Sequence, residues 1–395
     1  MAHSSLIVSL TLACLIVAVS FPVVYLGVLT LLSRPLPVLP AGSRTRRFDI
    51  IVPAHNEREL IASTVRTLCT LDWPADNFRI LVVADNCSDE TAALASAAGA
   101  QVWERFSTEQ RGKGYALAYA FERCRQEARA DALVVVDADT QVAPGLLVSM
   151  SAQLDAGAQA VQARYGISNL FASWRTMLMG IALGAFHDVR SRARERMGLS
   201  SGIRGNGWCV TFEALRLAPY GAFTLAEDLE FGIDLALAGI RVFYVEESSV
   251  LGVMAVSSRV ASKQRQRWEA GRGALLRSRL AALLTRVIRN GDLVALDLVC
   301  DLLVPPLASL LVMLVLLTGI ATWYQIYSGN VFPLAWCGVL ALILAMHVAR
   351  GWQLSGTGWR GFLALTHVPG YVLWKMLLLF RKRATEWIRT ERERP

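Results

Sequence analysis

The stretch ALVVVDAD, residues 132–139, decides the fold class because an apolar, β-branched run leads directly into two carboxylates. Such a run, bounded by polar residues, predicts a buried strand. Asp137 and Asp139 flank one small residue, so at least one carboxylate is expected to project beyond the strand end. Two hard oxygen ligands there suit Mg²⁺ or Mn²⁺, which bridge to substrate phosphates. A D-x-D pair alone is a weak signal, and its interpretation depends on its context.

The pattern on the amino-terminal side of this stretch alternates strands with helices. From residue 47 the chain reads FDIIVP, a helical stretch through residue 69, RILVVAD, an alanine-rich helix over residues 88–98, QVW, and a helix over residues 114–129. Repeated strand-helix units predict an α/β fold with a doubly wound parallel sheet, covered by helices on both faces. Ligands of such sheets bind at the carboxyl ends of the strands.

Polar residues follow three of the predicted strands. They are His55, Asn56 and Glu57 after the first strand, Asp85 and Asn86 after the second, and Asp137 and Asp139 after the fourth. Because the carboxyl ends of parallel strands share one edge of the sheet, we expect a polar site there. Helix capping, for which Asp and Asn are common, is the competing interpretation. The repetition of such residues at three junctions favours a site.

The composition indicates that part of the chain lies in lipid. Of the 395 residues 54% are hydrophobic, and the mean hydropathy is +0.40, above the usual range of soluble proteins. The net charge is +8, but arginines gather beside apolar stretches, which favours anionic headgroups and a diphosphate substrate over nucleic acid. Seven scattered cysteines without a C-x-x-C pair indicate neither a zinc site nor a disulfide framework.

The first apolar stretch, Leu6–Leu32, carries no charged residue and is long enough to cross a bilayer. We interpret it as a retained transmembrane anchor. A cleaved signal peptide is the alternative, but no Lys or Arg precedes the run and no A-x-A site comes after it. Arg34, Arg44, Arg46 and Arg47 come next, and the positive-inside rule places the chain beyond the first helix in the cytoplasm.

Residues 302–320 and 331–348 are two further candidate spans, joined by a loop over residues 321–330 without Lys or Arg. We interpret residues 361–380 as an interfacial or re-entrant helix, because a crossing there would put the arginine-rich tail outside. The expected protein is a multi-pass inner-membrane protein with three spans and an external amino terminus. Its expected parts are an anchor (1–33), a cytoplasmic catalytic domain (44–257), interfacial helices (258–298), a transmembrane hairpin (299–349) and an interfacial helix with a basic tail (350–395).

Several short motifs occur in an order that resembles one enzyme family. They are VPAHNE (52–57), DNCSD (85–89), RGKGYAL (111–117), DAD (137–139), AED (226–228) and QRQRW (264–268). Over residues 47–268 the chain resembles family 2 glycosyltransferases of the GT-A fold. The chain is similar to the membrane synthases of cellulose, hyaluronan, chitin oligosaccharides and poly-N-acetylglucosamine, and to related lipid glycosyltransferases.

The resemblance implies roles for the residues at the motif positions. The nucleotide-sugar would contact Pro53, His55, Glu57, Asp85, Lys113, Asp137 and Arg265. Asp139 and Asp137 would hold the metal, with Asp139 the firmer ligand. Asp228 matches the catalytic base, next to Glu227, and Arg267 would stabilise the leaving diphosphate. The motif has Ala226 where synthases often have Thr, which puts in doubt only a contact to the base.

The resemblance also implies an acceptor site built by Gly205, Asn206, Gly207, Gln264 and Trp268. Structural alternatives remain open at this point. Residues 205–207 could be a turn before a strand, Lys113 a solvated side chain, and QRQRW the start of a basic amphipathic helix on anionic lipid. His187 and Asp188 are expected to form a satisfied surface pair.

The resemblance predicts a hexosyltransferase that extends a saccharide chain from a UDP-sugar with inversion. Transfer of one sugar to a membrane lipid (hopanoid, sphingolipid-like or polyprenyl) is the alternative, since three spans leave little protein for a polymer channel. A non-catalytic nucleotide-sugar sensor is a third hypothesis, which the joint presence of Asp137, Asp139, Asp228 and Arg267 disfavours. The expected partners are the donor, a saccharide or lipid acceptor and the bilayer, without nucleic acid; the sequence names no protein partner.

Overall fold

The computed structural model describes residues 2–40, 42–254, 256, 258–370 and 372, and for residues 2–5 and 258–268 it describes the backbone only. Eight strands form one sheet in these residues. Strands β1 to β8 are Phe48–Ala54, Phe78–Asp85, Gln101–Arg105, Ala132–Val135, Thr140–Val142, Ala160–Ile167, Trp208–Thr211 and Val242–Gly252.

Fourteen α-helices flank the sheet or continue beyond it in the described residues. Helices α1 to α7 are Ala2–Leu32, Ile61–Cys69, Thr91–Ala97, Lys113–Glu127, Leu146–Asp155, Trp174–Leu183 and Arg190–Arg196. Helices α8 to α14 are Phe212–Leu217, Glu227–Leu237, Ser258–Asn290, Leu293–Leu303, Leu307–Ser328, Phe332–Leu354 and Gly358–Leu365. A 3₁₀ turn spans Ala75–Asn77, and a π-helical segment, Gly184–Val189, joins α6 to α7.

The sheet order is β3-β2-β1-β4-β7-β6-β8-β5. The first four strands in this order are parallel, as predicted. The later part of the chain adds antiparallel pairs: β7 runs antiparallel to β4 and β6, and β5 runs antiparallel to β8. Trp208, the first residue of β7, pairs with Val135, the last residue of β4. The loop before β7 therefore ends at the carboxyl edge of the parallel strands.

Apolar layers cover both faces of the sheet. One layer packs α2 and α5 on the sheet through residues such as Leu68 and Met150, and the other packs α4 and α9 through Leu117 and Phe231. Burial on both faces explains why β1, β2 and β4 are continuous apolar runs instead of alternating ones.

Three described helices are long and apolar enough to cross a membrane: Leu6–Leu32, Leu307–Ser328 and Phe332–Leu354. The two C-terminal ones begin and end later than the predicted 302–320 and 331–348. Pro305 and Pro306 separate α11 from α12, because proline lacks the amide hydrogen that a continuing helix needs. Gly329 then ends α12 in a left-handed conformation, so the connecting loop is shorter than predicted.

The segment α6–π–α7 lies between the sheet and the membrane helices. Its Gly184 meets Gly351 of α13 so closely that a Cβ built on Gly184 would lie 2.6 Å from the Gly351 carbonyl oxygen. His187 and Asp188 lie in this segment, and both are buried. The expected surface pair was therefore wrong: Asp188 binds Arg164 and accepts a hydrogen bond from the Tyr244 hydroxyl at 2.9 Å.

The predicted interfacial segment 361–380 is described only through residue 370 and at residue 372. Its first part belongs to α14, which exposes the side chains of Trp359, Phe362 and Leu363. The basic tail lies outside the described residues.

Candidate active site

A cavity of about 2130 Å³ opens at the carboxyl edge of the parallel strands. Most of the predicted site residues line it together, although they are distant in sequence. They are Pro53, His55, Glu57, Asp85, Lys113, Asp137, Asp139, Gly205, Glu227 and Asp228. The parallel topology explains this convergence, because each of the first strands ends at the same edge.

One end of the cavity is built by the turns after β1 and β2. Asn56 and Asn86 adopt left-handed conformations with φ of 55° and 52°, which asparagine tolerates better than most residues. These turns bring a His55 ring nitrogen within 2.7 Å of the Asp85 carbonyl oxygen. Arg105, at the end of β3, donates to the Asp85 carboxylate at 2.6 Å, and both side chains are buried. Arg105 was not predicted from the sequence, where its only signal is a charged residue at a strand end.

Lys113, the first residue of α4, is the central cation of the cavity. Its Nζ lies 2.6 Å from the Asp137 carboxylate, donates to the Gly205 carbonyl oxygen at 2.7 Å and lies 3.8 Å from Glu227. Burial lowers the pKa of Lys113, but the charges of Asp137 and Glu227 outweigh it and the net pKa is raised. The lysine is thus an ion-paired part of the cavity wall and not a solvated side chain.

The glycines on either side of Lys113 let the start of α4 lie close to a neighbouring loop. Gly112 has a φ of +117°, a conformation that residues with a Cβ rarely adopt. A Cβ on Gly114 would lie 2.3 Å from the Ala222 carbonyl oxygen. The G-K-G sequence therefore lets the start of α4 contact the loop that precedes the acid pair.

Residues 201–207 form a loop that joins the D-x-D pair to the acid pair, Glu227 and Asp228. A Cβ on Gly205 would lie 3.1 Å from Asp228 Oδ2, and the φ of Gly205 is +93°. The buried Asn206 accepts a hydrogen bond from the Asp137 backbone N–H at 3.0 Å and donates to Thr140 Oγ1 at 2.7 Å. Only Gly205 of the three predicted acceptor residues in this loop lines the cavity, and Asn206 uses its side chain to hold the loop.

The third of these residues, Gly207, faces the sheet. An added Cβ on Gly207 would lie 2.5 Å from Val250 Cγ2. Gly207 therefore leaves room for the Val250 side chain of β8. Neither Asn206 nor Gly207 lines the cavity, and their contact with the acceptor stays a prediction.

Glu227 and Asp228 start α9, where free backbone N–H groups stabilise negative charge. Burial nevertheless dominates, and it raises the pKa of Glu227 to about 7 although Lys113 opposes the shift. Burial also raises the pKa of Asp228. Tyr165, which was not predicted from the sequence, lines the same space; burial first, and then the charges of Asp137 and Asp139, raise its pKa. The site thus holds carboxyls suited to proton transfer near neutral pH.

The donor set fits a divalent cation that is completed by substrate oxygens. Among the described side chains, no three or more His, Cys, Asp or Glu converge as a metal cage. Asp137 and Asp139 both line the cavity and offer hard carboxylate oxygens, the ligands that Mg²⁺ and Mn²⁺ prefer. The family resemblance makes Asp139 the firmer ligand of the two, and the ion pair with Lys113 engages Asp137.

The QRQRW segment lies within α10, for which the structure describes only the backbone over residues 258–268. The side chains of Gln264, Arg265, Arg267 and Trp268 lie outside the described residues. Their roles therefore stay predictions.

The cavity extends from the acid pair toward the membrane helices. This membrane-side arm is lined by apolar residues of three helical segments and by a group of charged residues. The apolar ones include Met179, Leu183, Phe186, Leu302, Pro305, Pro306 and Leu307. The charged ones are Arg190, Arg204, Glu269, Arg272 and Asp301. The arm was not predicted, because its residues come from segments far apart in the chain.

The chain matches known proteins over the region that builds this site. The profile of "Glycosyltransferase like family 2" matches residues 46–271. A beta-monoglucosyldiacylglycerol synthase of Synechocystis is 31% identical over 235 residues, which are 56% of this chain and 47% of that protein. Glucomannan 4-beta-mannosyltransferase 7 of Arabidopsis thaliana is 22% identical over 68% of this chain and 53% of its own length. The chain thus spans about half the length of these relatives.

A solved structure shares the fold over nearly the whole chain. The mannosyltransferase PcManGT from Pyrobaculum calidifontis, in complex with GDP-Man and Mn²⁺, has a TM-score of 0.56 and covers 92% of this chain and 99% of its own. The sequence identity is 17%, so the likeness concerns the fold. The GT-A fold expected from the motifs is confirmed, and so is the resemblance that the motifs carried.

Proposed function

The chain belongs to glycosyltransferase family 2, and from that premise we propose that it transfers a single sugar from a nucleotide-sugar to a membrane lipid. The observation that carries the acceptor class is the continuous cavity. It connects the Asp137–Asp139 edge and the acid pair with an apolar arm that reaches the membrane helices at Leu302, Pro305 and Leu307. A lipid hydroxyl delivered along this arm would meet the donor beside Asp228.

The donor end of the cavity supports a UDP-sugar. The buried Asp85, held by Arg105 and close to His55, offers a carboxylate to the base. Lys113 supplies a fixed positive charge next to Asp137, where the diphosphate would lie. Pro53 and Glu57 line the same end.

The acid pair supports inversion by a single displacement. Asp228 would take the proton of the acceptor hydroxyl as its oxygen forms a bond to C1 of the sugar. The bond from C1 to the diphosphate oxygen breaks, and its electron pair leaves with the nucleoside diphosphate. The nearby Lys113 would neutralise part of the growing charge without reorganisation. Arg267 is proposed to assist from α10.

Mg²⁺ or Mn²⁺, held by Asp139 and assisted by Asp137, would supply further charge neutralisation at the diphosphate when bound. The Mn²⁺ of the structurally similar mannosyltransferase supports this proposal. The ion pair with Lys113 keeps Asp137 in place at the edge of the sheet.

Extension of a saccharide remains a second candidate, favoured by the QRQRW motif and by the similarity to a glucomannan mannosyltransferase. The lipid acceptor is preferred for two reasons. The arm of the cavity has apolar walls, and one of the relatives is named a beta-monoglucosyldiacylglycerol synthase.

We propose an inner-membrane, multi-pass location with the catalytic domain in the cytoplasm. The three apolar helices support the membrane association. The arginines that come after the first helix, Arg34, Arg44, Arg46 and Arg47, support the cytoplasmic side for the sheet.

Transfer assays on the full chain in its native membranes test the proposal. Membranes with and without the protein are incubated with individual labelled UDP-sugars, and the products are divided by organic extraction and sizing. We expect label in the organic phase, with its appearance blocked by EDTA and by Asp139→Ala. Label confined to large water-soluble chains would replace the lipid acceptor by the saccharide one, and UDP-sugar binding without any product would contradict transferase activity.

A further inference from the structure

The membrane-side arm of the cavity contains a cluster of arginines that the proposed transfer chemistry does not use. Arg190 and Arg194 of α7, Arg204 of the loop before β7 and Arg272 of α10 surround Asp301 of α11. Arg194 also binds Asp297 at 2.7 Å. Arg190, Arg194 and Arg204 are buried, as are both carboxylates.

The cluster has too few negative charges among its described members. Arg190, Arg194 and Arg204 contact the carboxylates of Asp297 or Asp301. Arg272 donates instead to the backbone carbonyl oxygens of Asp301 and Val304. Glu269, which also lines the cavity, is a third carboxylate, so four guanidiniums and three carboxylates still leave one excess positive charge. Buried charges are costly unless they are paired. An excess of buried positive charge beside an open cavity therefore favours an anion as ligand.

Arg204 contacts its carboxylate partner at a longer distance than Arg190 and Arg194 do. Its nearest carboxylate oxygen, on Asp301, is 3.6 Å away, and its Nε donates to the Ser201 carbonyl oxygen at 2.9 Å. Burial lowers the pKa of Arg204 to about 10, and the charges of Arg194 and Arg190 add to the shift. The Nε atom of Arg190 is buried and has no hydrogen-bond partner among the described residues.

His187 adds no positive charge to this cluster. Its ring lines the arm, and burial, assisted by Arg204 and Arg190, lowers its pKa to about 3. The imidazole is therefore neutral at physiological pH. Phe186 contributes a ring face to the arginines, with the guanidinium carbons of Arg190 and Arg204 at 4.7 and 4.8 Å from its centroid.

The arginine cluster lies between the acid pair and the apolar part of the arm, where the proposed lipid acceptor would bind. Arg204 directly precedes Gly205, on which an added Cβ would lie 3.1 Å from Asp228 Oδ2, so the guanidinium and the acid pair flank one short loop. The apolar residues Leu302, Pro305 and Leu307 continue the arm from Asp301 toward the membrane helices. A lipid with an anionic headgroup fits this arrangement, because the headgroup would contact the arginines and the tail the apolar residues.

We propose that the acceptor is an anionic lipid, whose negatively charged headgroup binds Arg190, Arg204 and Arg272 while its tail follows the apolar arm. This inference rests on the proposed transfer to a lipid and adds the charge class of that lipid. It assigns the three arginines to acceptor binding, apart from the donor end around Lys113 and Asp85.

Binding to the purified full chain tests the charge class directly. The probes are dioctanoyl phosphatidic acid, dioctanoylglycerol, which lacks only the phosphate, and inorganic phosphate. We expect the phosphatidic acid to bind at least about tenfold more tightly than either of the others, as charge-assisted hydrogen bonds imply. Equal binding of the two lipids would overturn the proposal, and equal binding of inorganic phosphate and phosphatidic acid would overturn the lipid as the source of the anion.

Variants at Arg204 test whether this side chain causes the tighter binding of the anionic lipid. Arg204→Gln should remove the preference for the phosphate while UDP affinity stays unchanged, since Asp301 keeps Arg190 and Arg194 as partners. Arg204→Lys should retain part of the preference. Arg196→Gln removes a charge from an exposed position of α7 and serves as the matched control. A fall in UDP affinity with Arg204→Gln would assign the arginine to the donor and overturn the proposal.

The charge of the product separates this inference from the proposed function. Labelled lipid from the transfer assay is applied to an anion exchanger. Retention of the label supports an anionic acceptor, whereas a labelled neutral lipid contradicts it and leaves lipid transfer intact. Absence of labelled lipid contradicts the proposed function itself, and the difference in lipid binding remains measurable in that case.

Discussion

The charge balance of the active site depends on Lys113. This one ammonium group pairs with Asp137, lies near Glu227 and binds the Gly205 carbonyl oxygen. It therefore links the D-x-D edge, the acid pair and the loop between them. Because the acid pair is partly buried, its negative charge is costly, and Lys113 offsets only part of that cost.

Asp228→Asn should separate catalysis from binding. We expect transfer to fall by about 10² or more, because the proton acceptor is lost, while UDP binding is retained. The unfolding midpoint should stay equal or rise, since a partly buried carboxyl with a raised pKa is replaced by a neutral amide. Transfer rate, UDP affinity and thermal unfolding of the purified variant measure these three effects.

The matched control is Asp234→Asn, which changes a carboxyl on the same helix that pairs with Arg279 outside the cavity. Its transfer rate should remain near that of the wild type. Turnover that survives in Asp228→Asn would assign the base to another group, with Glu227 the nearest candidate.

Activity and stability should change in opposite directions between about pH 5 and 7. Because burial raises the pKa of Glu227 from 4.5 to about 7, the acid pair gains negative charge, and with it the capacity to accept a proton, as the pH rises through this range. Stability has the opposite sign: the folded state holds the proton more tightly than the unfolded state, so the contribution of this group is present below about 4.5 and is lost toward 7.

Rate and unfolding midpoint as functions of pH measure both effects. In Glu227→Gln the acidic limb of any remaining activity should move to lower pH, and the loss of stability across this window should shrink. An unchanged stability profile in that variant would show that Glu227 does not titrate in this range.

Among the elements, the contact between the π-helical segment and α13 is unusually close. A Cβ on Gly351 would lie 2.7 Å from Ala185 Cβ and 2.8 Å from the Ile181 carbonyl oxygen. Small residues permit such close packing of helices within and beside a membrane. This contact fixes the segment that carries His187 and leads into Arg190 against a predicted span.

Gly351→Ala should therefore destabilise the protein, by about 1–3 kcal/mol, because the added methyl group overpacks the contact. This destabilisation is opposite to the effect of helix propensity, which favours alanine over glycine by about 1 kcal/mol. Gly338→Ala, in the same helix but with no atom within 4 Å of the added Cβ, should be neutral or stabilising. Thermal unfolding in detergent compares the two, and equal midpoints would contradict the tight packing.

The elements that could be predicted are those whose signals are local. The apolar runs of β1, β2 and β4 and the motifs at their ends identify the sheet edge and its polar residues. The reversal at β7 is not predictable in the same way, because the direction of a strand depends on the sheet edge at which the preceding loop ends, here beside Val135. Pro305 and Pro306 do offer a local signal for the start of α12. Hydropathy alone does not reveal this start, because the residues before the prolines are also apolar.

Site residues that act through distant partners are harder to predict. Arg105 serves Asp85 across 20 residues of chain, and nothing in QVWER marks that role. The charged run after His187 resembles a surface feature, because arginines are mostly exposed. Its partners, Asp297 and Asp301, lie more than 100 residues away, and a helical pattern carries no information about pairs at that distance.

For the molecule as a whole, a buried polar network joins the catalytic domain to the helices around it. Arg194 of α7 donates to Asp297 of α11 at 2.7 Å and to the Tyr25 hydroxyl of α1 at 2.8 Å. Tyr25 in turn donates to Asp297 at 2.7 Å. Three separate parts of the chain thus meet at one ion pair, and Arg194 is fully buried.

Removal of one partner of this pair should be far more harmful than removal of both. Asp297→Ala leaves Arg194 with Asp301 as its remaining carboxylate and should destabilise by about 3–5 kcal/mol. The double variant Arg194→Met with Asp297→Leu should recover much of the loss, because apolar side chains of similar size need no charged partner. Thermal unfolding and limited proteolysis of the purified protein compare the variants with Asp72→Ala, which breaks the exposed pair with Arg44 and should leave the midpoint unchanged. If the double variant were no more stable than Asp297→Ala, the network would matter for the fit of these side chains and not for their charge.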